Sequence, residues 1–210
     1  MFGIHDLPLF IVSGLLLNIV PGPDSLLIVS RSAGQGWRAG PAAALGIGAG
    51  TFVHVLGAAL GLSAVLATSA DAFTVVKYVG AAYLVYIGIR LCLGAARRQP
   101  DAAPAPPLPY RALFAQGFLS NVLNPKVALF FLAFVPQFIT PTSPTKALAF
   151  IALGCIFNVN SMVWCHGLAV CAAAAGRRTR LGAGATRWLN RLVGAVFVSF
   201  GIRLALAGRG

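Results

Sequence analysis

The chain has 210 residues, of which 58% are apolar and only 10% charged, with 16 basic side chains against 4 acidic ones and a formal charge of +12. Soluble domains carry about a quarter of their residues as Asp, Glu, Lys or Arg, so this chain cannot cover a water-facing surface, and a mean hydropathy of +0.84 excludes disorder as well. The charge would suggest a nucleic-acid partner on a soluble scaffold; on so apolar a chain it points to a lipid bilayer instead, with room for about six helices of roughly 20 residues.

Met1 to Asp6 holds no basic run, and the apolar stretch after it is too long for a signal-peptide core, so the first helix is expected to be retained. That first span is Leu7 to Ser30, interrupted by Pro21-Gly22-Pro23. The second, Ala39 to Ala70, runs 32 residues without Asp, Glu, Lys or Arg and carries a glycine stripe at 46, 50, 57 and 61, a pattern that lets another helix approach closely. The third is Phe73 to Ala96. A proline-rich stretch from Gln99 to Pro109 cannot be helical and reads as a linker. The fourth span is Ala112 to Phe138, interrupted at Asn124-Pro125-Lys126, and the fifth, Ala147 to Gly176, is again free of charge for 30 residues. Trp188 to Ala207 is the sixth. None alternates apolar and polar residues as barrel strands do. Six spans is the reading; five is the alternative, because the first and fourth contain interior prolines.

Basic loops resist translocation. The loops after the first, third and fifth helices hold Arg31 and Arg38, then Arg97, Arg98 and Arg111, then Arg177, Arg178, Arg180 and Arg187, whereas the other face has Lys77, Lys146 and Arg209. Those three loops are expected in the cytoplasm, with both termini outside it.

The two halves resemble each other. Val79-Gly80-Ala81 followed by Gly88-Ile89-Arg90-Leu91 matches Val193-Gly194-Ala195 followed by Gly201-Ile202-Arg203-Leu204 with one single-residue slip, and Asn18 to Pro23 falls where Asn121 to Lys126 does. The fold expected is therefore an all-α integral membrane protein of two inverted three-helix repeats, 1–96 and 112–210, joined by the linker 97–111, with helices 1 and 4 broken at proline motifs. Inverted repeats are a transporter architecture whose sites lie where broken helices meet.

Proline removes a backbone donor and frees carbonyls deep in the bilayer, which must find other partners. A plain kink is one outcome; polar residues at the break argue for a site. Asn18 stands one turn before Pro21-Gly22-Pro23, Asp24 and Ser25 follow it, and Asp24 is the only acid inside any expected span. A carboxylate there costs roughly 2.5–3.5 kcal/mol. It must be protonated, pair with a cation, or sit at the donor end of a half-helix. Lys126 is the complementary charge at the second break, and pairs with Asp24 or bends to the interface as an anchor. His54 lies beside the glycine stripe and titrates in the neutral range if exposed to protons, or is a hydrogen-bonded core residue. His166, Asn158 and Asn160 on the fifth helix are expected to hydrogen-bond between helices.

Cys92, Cys155, Cys165 and Cys171 form no Cys-x-x-Cys pair, and phosphate-loop, nucleophile-elbow and zinc-protease motifs are absent. No enzymatic activity and no cofactor is expected, and energy for uphill transport must come from an ion gradient or a partner chain.

Asn18-x-x-Pro21-Gly22-Pro23-Asp24, Gly34-Gln35-Gly36-Trp37-Arg38-Ala39-Gly40, Lys77 to Leu84 with Gly88-Ile89, and Gly117 to Lys126 together resemble the bacterial LysE/RhtB family of amino-acid exporters, in order and spacing over nearly the whole chain. The resemblance implies a six-helix inner-membrane secondary carrier that exports amino acids or close derivatives by exchange with protons. It maps the family's two motifs onto Pro21, Gly22 and Pro23 and onto Asn124, Pro125 and Lys126. A small polar pocket around Asp24, Asn18 and Asn121 suits a short zwitterion such as homoserine or threonine. The proline-rich middle loop and an all-alanine end to the fifth helix depart from the pattern and bear on substrate preference. An uncoupled pore, or an exporter of another small solute or metal ion, is the alternative, and a homodimer is left open.

Overall fold

The computed structural model describes residues 2–62, 70–93 and 107–175, with isolated positions between Trp188 and Leu206. The core of the proline-rich linker, the arginine cluster from Arg177 to Arg187 and much of the sixth expected helix lie outside the described residues. What is described is helical: α1 (Leu7–Ile19), α2 (Pro23–Gln35), α3 (Ala39–Leu56, prolonged by a π turn over Gly57–Leu62), α4 (Ala70–Cys92), α5 (Tyr110–Val122), α6 (Pro125–Leu129) and α7 (Lys146–Ala175). The strand-like pairing present among these residues is an isolated antiparallel bridge between Ile4 and Ile139.

Both expected breaks form where proline puts them. Pro21 cannot donate to Leu17, the chain leaves the helix at Val20 (ψ 121°), and α2 restarts at Pro23, bent 55° from α1. α5 ends at Val122 and α6 begins at Pro125, with a bend of 47° between α5 and the Pro125–Phe138 segment. Pro136 disturbs the ladder once more, and the chain beyond α6 passes through a π turn (Phe130–Phe134) and a 3-10 turn (Val135–Phe138). Gly36, at φ 89°, stops α2 in a conformation open to glycine.

Among the described residues two helical stretches, Ala39–Gly61 and Lys146–Ala174, are long and apolar enough to cross a membrane, and each bent pair adds one more if it is a single span, giving two to four there. α2 differs from the expectation in one respect. The sequence suggests a span ending at Ser30 with Arg31 in the following loop, but α2 continues to Gln35 and Arg31 is buried within it.

Small residues set the packing around the breaks. A side chain on Gly46 would strike the α5 backbone at Phe114, and one on Gly50 would lie 2.9 Å from both the Phe118 carbonyl and Asn121 Cβ. Gly117 returns the contact against the Ala43 carbonyl, so α3 and α5 touch backbone to backbone, the approach that small residues allow in membranes. Gly57 and Gly61, the other half of the expected stripe, meet nothing within 4 Å. At the end of the bundle beside the amino terminus, Phe10, Phe130, Phe131, Phe134, Phe138 and Phe157 form an aromatic cluster, with Phe130 and Phe157 centroids 4.6 Å apart and Phe10 edge-on to Phe138 at 5.3 Å. The amino-terminal segment is fastened beside it: His5 N–H donates to the Phe138 carbonyl at 3.1 Å and Thr140 N–H to the Gly3 carbonyl at 2.8 Å.

Candidate functional site at two broken helices

Each break exposes what the other needs. At the first, Pro21 leaves the Leu17 carbonyl without its helical donor, and the turn into extended backbone at Val20 turns the Val20 carbonyl out of the ladder as well. Both carbonyls accept from Lys126 Nζ, at 3.0 Å and 3.1 Å. An ammonium at the carbonyl end of a helix is also favoured by the helix dipole. A Cβ on Gly22 would stand 3.2 Å from Lys126 Nζ, a tight contact that the ammonium would have to yield to by a few tenths of an ångström.

Asp24, in the first turn of α2, is held by the second break. Its Oδ1 accepts from Ser120 Oγ at 2.7 Å, and its Oδ2 from Asn121 Nδ2 at 2.9 Å and Asn124 Nδ2 at 3.2 Å. All three partners are neutral donors, matched to the acceptor-only inventory of a carboxylate. Asn124 serves both halves of the site, because its Oδ1 accepts from Lys126 N–H at 3.0 Å and so caps α6 while its amide holds Asp24. The single proton of the Thr51 hydroxyl has two acceptors in reach, the Ile47 carbonyl at 3.1 Å and Asn121 Oδ1 at 3.4 Å.

A direct ion pair between Asp24 and Lys126, one of the arrangements the sequence left open, is not formed. The ion pair found among the described residues joins His5 to Asp6, at the amino terminus. The acid and the base instead cross over, each taking polar atoms of the opposite break. Their settings are equivalent: Pro23-Asp24 and Pro125-Lys126 each occupy the first two positions of the restarted helix, after Gly22 and Asn124 as caps.

His54 belongs to this arrangement through the backbone. Pro125 lacks the N–H that would have served the Asn121 carbonyl; that carbonyl accepts from Asn124 N–H at 2.9 Å and lies 3.0 Å from His54 Nε2. A carbonyl only accepts, so His54 Nε2 carries a hydrogen, and its ring stacks 6.4 Å from Phe131. Asn18 is not drawn into the Asp24 network; its Nδ2 is enclosed without a partner among the described residues. The same holds for Asn158 Oδ1 and Asn160 Nδ2 on α7, and His166 bonds within its own helix, to the Met162 carbonyl at 2.7 Å. The interhelical bonds expected of these three are therefore absent at those atoms.

Ser120, Thr51 and Gln116, which sequence reasoning left unassigned, and Arg31, which it placed in a loop, lie in and around the site. Ser120 was visible as one of three polar residues, with Asn121 and Asn124, that a helix places near one face before the break. Arg31 Nε donates to Gln116 Oε1 at 3.1 Å. Beside these groups lies a cavity of about 410 Å³, walled by Gln116, Ser120, Asn124 and the prolines Pro23 and Pro125, with Leu119 and Leu123 at its rim. No cluster of three His, Cys, Asp or Glu side chains able to hold a metal occurs among the described residues.

Comparison with known proteins finds relatives over nearly the whole chain. The family model described as LysE type translocator matches residues 15–208. An uncharacterized membrane protein of Pseudomonas aeruginosa is 37% identical over 98% of this chain and 97% of its own length. An uncharacterized membrane protein of Bacillus subtilis is 30% identical over 97% of this chain and 100% of its own. A leucine efflux protein of Salmonella typhimurium is 28% identical over 97% of this chain and 96% of its own. No solved structure matches the chain.

Proposed function

The chain belongs to the LysE-type translocators, multi-pass membrane proteins, and we propose that it is a secondary carrier exporting neutral α-amino acids from the bacterial cytoplasm in exchange for protons. The observation that carries this reading is the setting of Asp24: a carboxylate in a broken span, wrapped by Ser120, Asn121 and Asn124, with no cation within salt-bridge distance among the described residues. Its three partners are neutral, so a cation can still add to the group. An α-ammonium and a proton are the two candidates, and one carboxylate accepts only one of them at a time. That competition is what exchange requires: substrate leaves when a proton arrives from the other side, and the proton leaves when substrate is loaded.

The resemblance to an amino-acid exporter family, and a relative named for leucine efflux, support the substrate class. Leucine, threonine and homoserine all present the same α-ammonium to Asp24. Six spans in two inverted repeats, in the inner membrane with both termini outside the cytoplasm, complete the proposal; the matched settings of Pro23-Asp24 and Pro125-Lys126 support the repeat. In this reading Lys126, Asn18, His54 and the prolines of both breaks shape and hold the site, and Asp24, Asn121 and Asn124 meet the substrate or proton.

The test is Asp24→Asn in proteoliposomes, with amino-acid flux measured with and without an imposed pH gradient. The amide presents a donor to Asn121 and Asn124, which are donors themselves, and removes the charge. Proton-coupled flux is expected to fall about a hundred-fold or more, equivalent to ~2.7 kcal/mol. Coupled flux at the wild-type rate would remove Asp24 from the mechanism, and flux indifferent to the pH gradient in the wild type would make the protein an uncoupled pore.

A further inference from the structure

The breaks divide the two bent helices into two seams, and the seams are closed to different extents. On one side α1 lies along the Pro125–Phe138 segment, with contacts at both ends and between. At the break, Lys126 Nζ binds the Leu17 and Val20 carbonyls. In the middle, Phe10 packs 6.0 Å from Phe130 and edge-on to Phe138 at 5.3 Å. At the far end residues 2–6 pair with residues 138–143. There His5 N–H donates to the Phe138 carbonyl, Thr140 N–H and Oγ1 both donate to the Gly3 carbonyl, and Ser143 Oγ donates to the Phe2 carbonyl at 3.1 Å. Ile4 and the buried Ile139, at the centre of this pairing, pack on the aromatic cluster. On the other side of the breaks, Asp24 ties α2 to Ser120 and Asn121, and Arg31 ties it to Gln116. The cavity of about 410 Å³ still stands there, beside Pro23, Gln116 and Ser120.

We propose that the seam between α1 and the Pro125–Phe138 segment is a gate of the carrier, and that the pairing of residues 2–6 with 138–143 is its latch, which parts each time the site opens toward that end; this rests on the transport reading above. In the proposed topology that end faces away from the cytoplasm. The make-up of the seam suits a contact that breaks and re-forms. The charged bonds of Lys126 stand at the break end, where they serve as the pivot, whereas the bonds named at the far end are all neutral and so of the weaker class. The closed latch is also strained: Phe2 and Asp6, which flank it, hold left-handed φ angles of 54° and 50°. Release returns both to ordinary dihedrals, which lessens the cost of opening. Gly3, at φ 75°, closes against Ser143 so tightly that a Cβ would stand 2.6 Å from Ser143 Cβ. Leu7 begins the helix whose last carbonyls Lys126 holds, and Phe138 ends the segment that Pro125 and Lys126 begin. A swing at the latch is therefore a rotation about the site. A staple that merely fastens the amino terminus has the same contacts and no need to part them.

The experiment is a reversible lock. Ile4 and Ile139 face each other as the non-hydrogen-bonded pair of the antiparallel bridge, because the bonds run between their neighbours. Such pairs have Cα atoms about 4.5 Å apart, within disulfide reach. The full chain carrying Ile4→Cys and Ile139→Cys together, each single variant and the wild type are oxidised with copper phenanthroline and assayed for labelled leucine counterflow in proteoliposomes. The single variants control for the four native cysteines, and peptide mass verifies the cross-link. Oxidation is expected to lower counterflow of the double variant about ten-fold or more, with dithiothreitol restoring it and the single variants changing less than about two-fold. Leucine Kd in detergent is expected to stay within about three-fold, because the site remains reachable from the α2–α5 side. Counterflow at the reduced rate in cross-linked protein overturns the gate, as does loss of leucine binding along with flux, which marks a distorted site. Ile139→Cys alone gives a second reading. Ile139 is 6% exposed beneath the latch, and a water-soluble maleimide present on both faces should label it about three-fold faster or more during leucine exchange; labelling indifferent to leucine overturns the gate. Wild-type protein that moves no amino acid of a leucine, threonine and homoserine panel defeats the export reading itself, and the gate with it.

Discussion

The crossed arrangement makes a quantitative prediction about Lys126 and Pro21. Replacing Lys126 by Met removes two bonds from an ammonium to carbonyls, at 3.0 and 3.1 Å. It leaves the Leu17 and Val20 carbonyls unsatisfied, at about 1–3 kcal/mol each. The same substitution spares the cost of holding an ammonium in a span, about 2.5–3.5 kcal/mol. These terms oppose each other at similar size, so the single variant is a poor test. The double-mutant cycle with Pro21→Ala is a sharp one. The alanine brings an N–H that can return to the Leu17 carbonyl once Val20 is free to adopt helical dihedrals, so it rescues the atom that Lys126 abandons. Relief of the proline itself is common to both backgrounds and cancels. P21A is therefore expected to stabilise the K126M protein by about 1–3 kcal/mol more than it stabilises the wild type. The measurement is unfolding in mixed micelles by denaturing detergent, read by helicity for the four proteins. Effects that add within about 0.5 kcal/mol would show that Lys126 is not satisfying the carbonyl orphaned by Pro21.

Three further outcomes follow from the same contacts. Asn124→Ala removes an N-cap worth about 1 kcal/mol and one donor to Asp24 worth about 1.5–3 kcal/mol, and is expected to lower both detergent resistance and coupled flux; wild-type values for both would detach Asn124 from Asp24. His54→Leu leaves the Asn121 carbonyl with Asn124 N–H still bound, so its cost should sit near ~1 kcal/mol and His54→Gln, which keeps a donor, should recover most of it; a hundred-fold loss of flux in H54Q would instead give His54 a titrating role. Gly46→Val drives a side chain into α5 backbone that cannot move aside and should destabilise by about 3 kcal/mol or more. Gly57→Ala, with nothing within 4 Å, should instead stabilise the helix by about 0.5–1 kcal/mol; similar effects at the two glycines would contradict the backbone-to-backbone packing of α3 on α5.

The parts of this structure that were legible in the sequence are those that depend on a residue's own covalent nature. Proline lacks an N–H wherever it stands, so the positions of both breaks follow from Pro21, Pro23 and Pro125 alone, and the cost of a charge in hydrocarbon singled out Asp24 from composition. What was hidden depends on which helix lies opposite. Asp24 and Lys126 look like a pair because their charges are opposite, yet each has closer partners among the polar atoms that the other's break releases, and those atoms are backbone carbonyls and neutral amides with no signature in charge counting. Arg31 was hidden for a related reason: a span boundary read from the first charged residue cannot tell a loop arginine from one buried against a neighbouring helix. The glycine stripe shows the same limit, since Gly46 and Gly50 face α5 and Gly57 and Gly61 do not.

The energetics of the two breaks bear on how such a site moves. If the halves were joined only by apolar packing, rocking one against the other would exchange one greasy surface for another at little cost or gain. Here the junction at the breaks includes five hydrogen bonds with a charged partner, three to Asp24 and two from Lys126, each worth about 1.5–3 kcal/mol. A rearrangement that breaks them without replacement is prohibitively slow. In the exchange proposed above, substrate that offers an ammonium to Asp24, or a proton that neutralises Asp24, would supply the replacement. The bonds that hold the empty site are thereby the reason why an empty, unprotonated carrier should not reorient, and that restraint, more than affinity for either ligand, is what separates exchange from leak.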